Sequence, residues 1–63
     1  MNNYYKATTK VYLDGKYMQT LDEMWTYERI QKEIERLNEM HEKGFISFTQ
    51  KIVNGAYLFQ VYF

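Results

Sequence analysis

Apolar and polar residues change period twice along this chain. From Tyr4 to Gln19 and again from Ile46 to Phe63 they alternate, the two-residue period of a half-buried strand. Between Tyr27 and His41 the spacing becomes helical: Ile30, Ile34, Leu37 and His41 share one stripe, with Tyr27 at its start and Met40 on its flank. Each alternating stretch is interrupted by a dipeptide, Asp14-Gly15 or Asn54-Gly55, of the kind that closes a two-residue β-turn. Both central residues of a type I′ turn need positive φ, which Asn, Asp and Gly tolerate best. The pattern predicts a hairpin over 4–21, a helix over about 26–43 and a hairpin over 45–63, in a single α+β domain.

Counting outward from the turns assigns faces. Around Asp14-Gly15, Leu13 pairs with Lys16, Tyr12 with Tyr17, Val11 with Met18, Lys10 with Gln19 and Thr9 with Thr20. One face then carries Ala7, Thr9, Val11, Leu13 and Met18, with Tyr5 at its end. The other carries Tyr4, Lys6, Thr8, Lys10, Tyr12, Tyr17 and Gln19. Around Asn54-Gly55 the sorting is cleaner. Ile46, Phe48, Gln50, Ile52, Tyr57, Phe59, Val61 and Phe63 fall on one side, and Ser47, Thr49, Lys51, Val53, Ala56, Leu58, Gln60 and Tyr62 on the other. The helix has two candidate starts. Thr26 can be the N-cap, with Trp25 and Ile30 as a hydrophobic staple, or Asp22 can cap an earlier start; Thr26 is preferred because it keeps Trp25 off the helix. Gly44 fits the left-handed position that ends a helix. Glu28–Lys32, Arg29–Glu33 and Glu39–Lys43 are i,i+4 pairs supporting its exposed face. A helix of roughly 27 Å matches an eight-residue strand of roughly 26 Å, so it is expected to cover one face of a four-stranded sheet.

In order and size the chain resembles the immunoglobulin-binding domains of streptococcal protein G and protein L, with Asp14-Gly15 after Val11-Tyr12-Leu13 at a similar place to their first turn. The resemblance is architectural and spans nearly the whole chain. It implies a β-grasp-like sheet, mainly antiparallel, in the order 2-1-4-3, with the first and last strands as parallel neighbours. Fold analogy carries no function.

Composition narrows the chemistry. There are 63 residues, no Cys and one His, so neither disulfides nor a Cys/His metal site staples the domain. The apolar 46% includes seven Tyr, four Phe and one Trp, and aromatics build a small core quickly. Net charge is zero, but the span from Asp22 to Lys43 holds seven acids against four bases, and the remainder is net +3. The sheet is therefore mildly basic and the helix mildly acidic. There is no apolar run of membrane-spanning length and no signal-peptide pattern, so the expected setting is cytoplasmic with no membrane partner.

Catalysis is poorly supplied. Ser47 is read on a strand and His41 near the helix end, where packing or capping explains it; a nucleophile needs a base within hydrogen-bond reach. Most carboxylates line a solvated helix face, which does not split their pKa values. Neither an enzyme activity nor a cofactor is expected. The candidate binding face is Tyr4, Lys6, Lys10, Tyr12, Tyr17, Lys51 and Tyr62 on the outer sheet surface. Trp25 and Tyr27 form a candidate hot spot at the sheet-to-helix junction. The first expectation is a small non-enzymatic module binding another protein through the sheet face or an edge strand; regulators carried by phages and other mobile elements have this size. The alternatives are a single-stranded nucleic-acid binder, with rings stacking bases and lysines tracking phosphates, and a structural homodimer paired through strand three, Phe45 to Val53.

Overall fold

A computed structural model describes residues 3–63. The order is β1 (Tyr4–Leu13), β2 (Lys16–Thr26), α1 (Tyr27–Glu42), β3 (Ser47–Val53) and β4 (Ala56–Tyr62). The strands form one mixed sheet in the order β2-β1-β4-β3, antiparallel except for the central β1–β4 pair, with α1 packed on one face. This is the ββαββ arrangement the periodicity predicts.

Both turns take the required backbone. Asp14 and Gly15 have φ of 51° and 79°, Asn54 and Gly55 of 50° and 77°. The second hairpin has the register counted from its turn, from Val53 opposite Ala56 through Gln50 opposite Phe59 to Ser47 opposite Tyr62. The first departs from expectation. Tyr12 faces Tyr17 and Leu13 faces Lys16, but the register then shifts between Val11 and Tyr12, so that Val11 lies opposite Gln19 and Lys10 opposite Thr20. Met18 is an extra residue in β2, a β-bulge, and is exposed rather than a core partner of Val11. The slip changes every face assignment beyond it. Gln19 moves to the helix side, and Leu21, Glu23 and Trp25 follow, opposite Thr9, Ala7 and Tyr5. A regular register would have turned Trp25 to the outer surface, so its packing against the core favours the bulge, which also brings the still exposed Leu21 to the helix side. Pairing then runs on to Thr26, five residues past the expected end of the hairpin.

β2 hands over directly to the helix. Thr26 is extended and its Oγ1 accepts a hydrogen bond from the Arg29 backbone N–H at 3.2 Å. The capping geometry is the one Thr26 was expected to supply. At the other end the N–H groups of Lys43, Gly44 and Phe45 donate to the carbonyls of Glu39, His41 and Met40. Gly44, the residue after the Lys43 C-cap, has φ of 79°, the left-handed conformation that ends the helix. The His41 side chain ties the helix end to the connection, its Nδ1 lying 3.0 Å from the Ile46 carbonyl oxygen and its ring edge-on to Phe48. Among the described residues the ion pairs are Glu39–Lys43, as expected, and a bidentate Arg36–Glu33 pair; the expected Glu28–Lys32 pair does not form, and Arg29 lies over Trp25 instead of pairing with Glu33.

The buried core is Ala7 from β1, Ile30 and Leu37 from the helix, Ile46 from the connection and Phe59 and Val61 from β4, the last five forming one cluster. Tyr5, Trp25, Ile34, Met40, Phe48 and Tyr57 pack around it. The helix does not cover the whole face, contrary to the length argument. Its 16 residues span about 24 Å, whereas the 11 residues of β2 span about 36 Å, and the molecule is 40 Å long. Its start is tied to the end of β2 and its exit to the start of β3, so it crosses the sheet diagonally. Two corners of the helix-side face stay open. One holds Leu13, Leu21 and Phe63; the other holds Gln50 and Ile52, and Ile52 is 63% exposed although its parity points it inward.

Candidate functional site

The outer sheet face is uncovered across all four strands, and the registers arrange it in rows. The first row runs Tyr17, Tyr12, Tyr62 and Ser47 from β2 to β3. Tyr12 stacks on Tyr62 with ring centroids 4.8 Å apart and planes 16° apart, and meets Tyr17 edge-on at 5.9 Å. The Tyr17 hydroxyl shares a 2.6 Å hydrogen bond with Thr20, which the bulge places beside it on the same strand. Behind this row come Thr20, Lys10, Gln60 and Thr49, and then Asp22, Thr8, Leu58 and Lys51. Cross-strand bonds link neighbours within rows, and a bond along β4 joins the first row to the second. Thr8 donates to Asp22 at 2.7 Å and Thr49 to Gln60 at 3.1 Å, while the Tyr62 hydroxyl donates to the same Gln60 oxygen at 3.4 Å.

Of the expected face residues, Tyr12, Tyr17, Tyr62 and Lys10 therefore form one contiguous patch. Lys51 lies one row further on, two strands from Lys10. Lys6 and Tyr4 are at the opposite end of β1, opposite Met24 and Thr26, and Tyr4 is about 27 Å from Tyr12 along the strand. Trp25 and Tyr27 differ in exposure. Trp25 is half-buried, 6.5 Å from Phe59 with the Arg29 guanidinium 5.1 Å from its ring, and helps close the core; Tyr27 is exposed at the first helical position.

A second surface is created by the bulge and the diagonal helix together. The open corner between α1 and the first hairpin is a groove of about 250 Å³ lined by Val11, Leu21 and Val61 of the sheet and Leu37 of the helix. Trp25, Met40 and Phe63 add to its apolar lining, and Glu23, Arg29, Glu33 and Arg36 supply its charges. Arg36 holds Glu33 through Nε at 2.6 Å and Nη2 at 3.1 Å; that hydrogen bond raises the guanidinium pKa further above its ordinary value, so the cation persists across all working pH. The signal for this groove was present in the alternation of Leu21, Glu23 and Trp25. It is legible only once β2 is extended to Thr26 and a bulge is allowed.

Among the described residues no group of three or more His, Asp or Glu side chains is placed to hold a metal ion, and no helix is long and apolar enough to cross a membrane. His41 is engaged with Ile46 and Phe48, whereas Ser47 faces Tyr62 across the sheet. The chain matches no protein-family model and no curated protein.

Proposed function

We propose that this protein is a small non-enzymatic module that binds another protein through the outer sheet face, centred on Tyr12, Tyr17, Tyr62 and Lys10. The observation that carries the reading is the interlocked tyrosine row. Tyr12 is flanked on both sides, by a stacked ring and by an edge-on ring, so the three side chains lose little further rotamer freedom on binding. Rigid tyrosines presenting a hydroxyl and an apolar body suit protein interfaces. The same geometry disfavours the nucleic-acid alternative. Bases stack on free ring faces, and the facing surfaces of Tyr12 and Tyr62 are occupied by each other.

The test is affinity capture from the native host with wild-type protein and with Tyr12→Ala and Lys10→Glu variants, followed by titration of the purified partner. A protein partner retained by the wild type and weakened at least tenfold by Tyr12→Ala, about 1.4 kcal/mol, supports the reading. Equal binding by both variants refutes the face. Salt-sensitive binding of short oligonucleotides that both variants weaken would replace this reading with the nucleic-acid one.

A further inference from the structure

The two sheet edges are built differently. β2 is guarded: it carries a bulge at Met18 and the adjacent acids Asp22 and Glu23, devices that discourage pairing with another chain. β3 is less guarded. Its register with β4 is continuous, it contains neither Gly nor Pro, and Lys51 is its one charge. We infer that β3 is a homodimerisation edge, pairing antiparallel with β3 of a second copy about a two-fold axis at Gln50.

The backbone leads to this register. A two-residue turn closes on a hydrogen-bonded pair, here Val53 and Ala56. Alternation then commits Val53, Lys51, Thr49 and Ser47 to β4 and points the N–H and C=O groups of Ile52, Gln50 and Phe48 out of the sheet. With Gln50 opposite its own copy, Phe48 falls opposite the second copy's Ile52, and every outward group meets an outward partner. The side chains agree. Ile52, left uncovered by the diagonal helix, gains an apolar neighbour in the second copy's Phe48 on the same face. Lys51 lies opposite Thr49, so no like charges meet. Shifting the axis to Lys51 would set two lysines face to face, a destabilising pair, and leave Phe48 without an outward partner. Shifting it to Thr49 would draw in Ile46, which is buried in the core. The partner is therefore a second copy of this chain, because the seven-residue edge is complementary to itself. A single strand edge is expected to bury less than the about 1,200 Å² of a standard interface, so the dimer should be concentration-dependent.

Sedimentation over about 10 µM to about 1 mM, the range in which weak interfaces populate, should show a monomer–dimer equilibrium. Gln50→Lys, which sets two cations together on the axis, should shift it at least tenfold toward monomer, while Thr20→Lys on β2 should not. The register is tested separately by Gln50→Cys in this cysteine-free chain. A hydrogen-bonded pair has its Cα atoms about 5.5 Å apart, within disulfide range, so a glutathione redox buffer should yield a covalent dimer in preference to a Thr20→Cys control. A monomer at every concentration overturns the proposal, as does a dimer that Gln50→Lys leaves intact or that cross-links better through Thr20→Cys.

Discussion

Truncating Phe59 is expected to bring the domain close to unfolding, while truncating Ile52, on the same face by parity, should be almost silent. Phe59 is 0% exposed and sits among Ile30, Leu37, Ile46 and Val61, with Trp25 against its ring. Removing a fully buried aromatic costs roughly 3–5 kcal/mol, transfer energy plus the cavity left behind. A chain of this length has a total stability of about 3–9 kcal/mol, so Phe59→Ala consumes a large part of it. Phe59→Leu keeps most of the volume and should cost roughly 1–2 kcal/mol. Ile52 is 63% exposed, so Ile52→Ala should stay within about 0.5 kcal/mol. Urea titration followed by circular dichroism measures all three. With a slope of about 1 kcal/mol per molar for a small domain, Phe59→Leu should lower the midpoint by roughly 1–2 M and Phe59→Ala by roughly 3–5 M. Protein concentrations are kept low, so that association through β3 does not enter. An Ile52→Ala variant as damaged as Phe59→Leu would refute the diagonal placement of the helix and show that the whole face is covered.

Removal of Met18 should be tolerated, with the melting temperature changed by no more than a few degrees, because the strand then runs in regular register and Leu21 and Trp25 keep their sides. Removal of Met24 should be severely destabilising, since Trp25 would be turned away from Phe59 or Thr26 pulled off its cap; thermal denaturation compares the two. Gly55→Val should cost about 1–3 kcal/mol through backbone strain at positive φ. Nothing lies within 4 Å of an added Cβ there, so Gly55→Asn should recover most of that loss in the same melt.

Several features could be read without a structure because they depend on neighbours in the chain. The positive-φ requirement of Asp14-Gly15 and Asn54-Gly55 marked both turns, and parity counted from Asn54-Gly55 matched the pairs from Val53–Ala56 to Ser47–Tyr62, while Ile46, counted into the strand opposite Phe63, lies in the connection. Thr26 and Gly44 bounded the helix because capping is a local hydrogen-bonding problem. On the outer face, Tyr12 opposite Tyr17 followed from the first turn alone. That Tyr62 joins them did not, since it depends on β4 pairing with β1 and on where that parallel register falls.

What tertiary structure alone decided came from competition between elements. Alternation counted from Asp14-Gly15 sends Met18 inward and Leu21 and Trp25 outward. The folded chain gives up one residue of regular pairing at Met18 and gains two apolar side chains on the helix side. Parity likewise assigns Ile52 and Phe63 to the interior. Burial also needs something to lie over them, and a 16-residue helix anchored at the end of β2 and the start of β3 cannot reach either corner. Local sequence thus determined the turns, the caps and the alternation. The length and attachment of one helix decided which of the inward-pointing residues became core and which were left as surface.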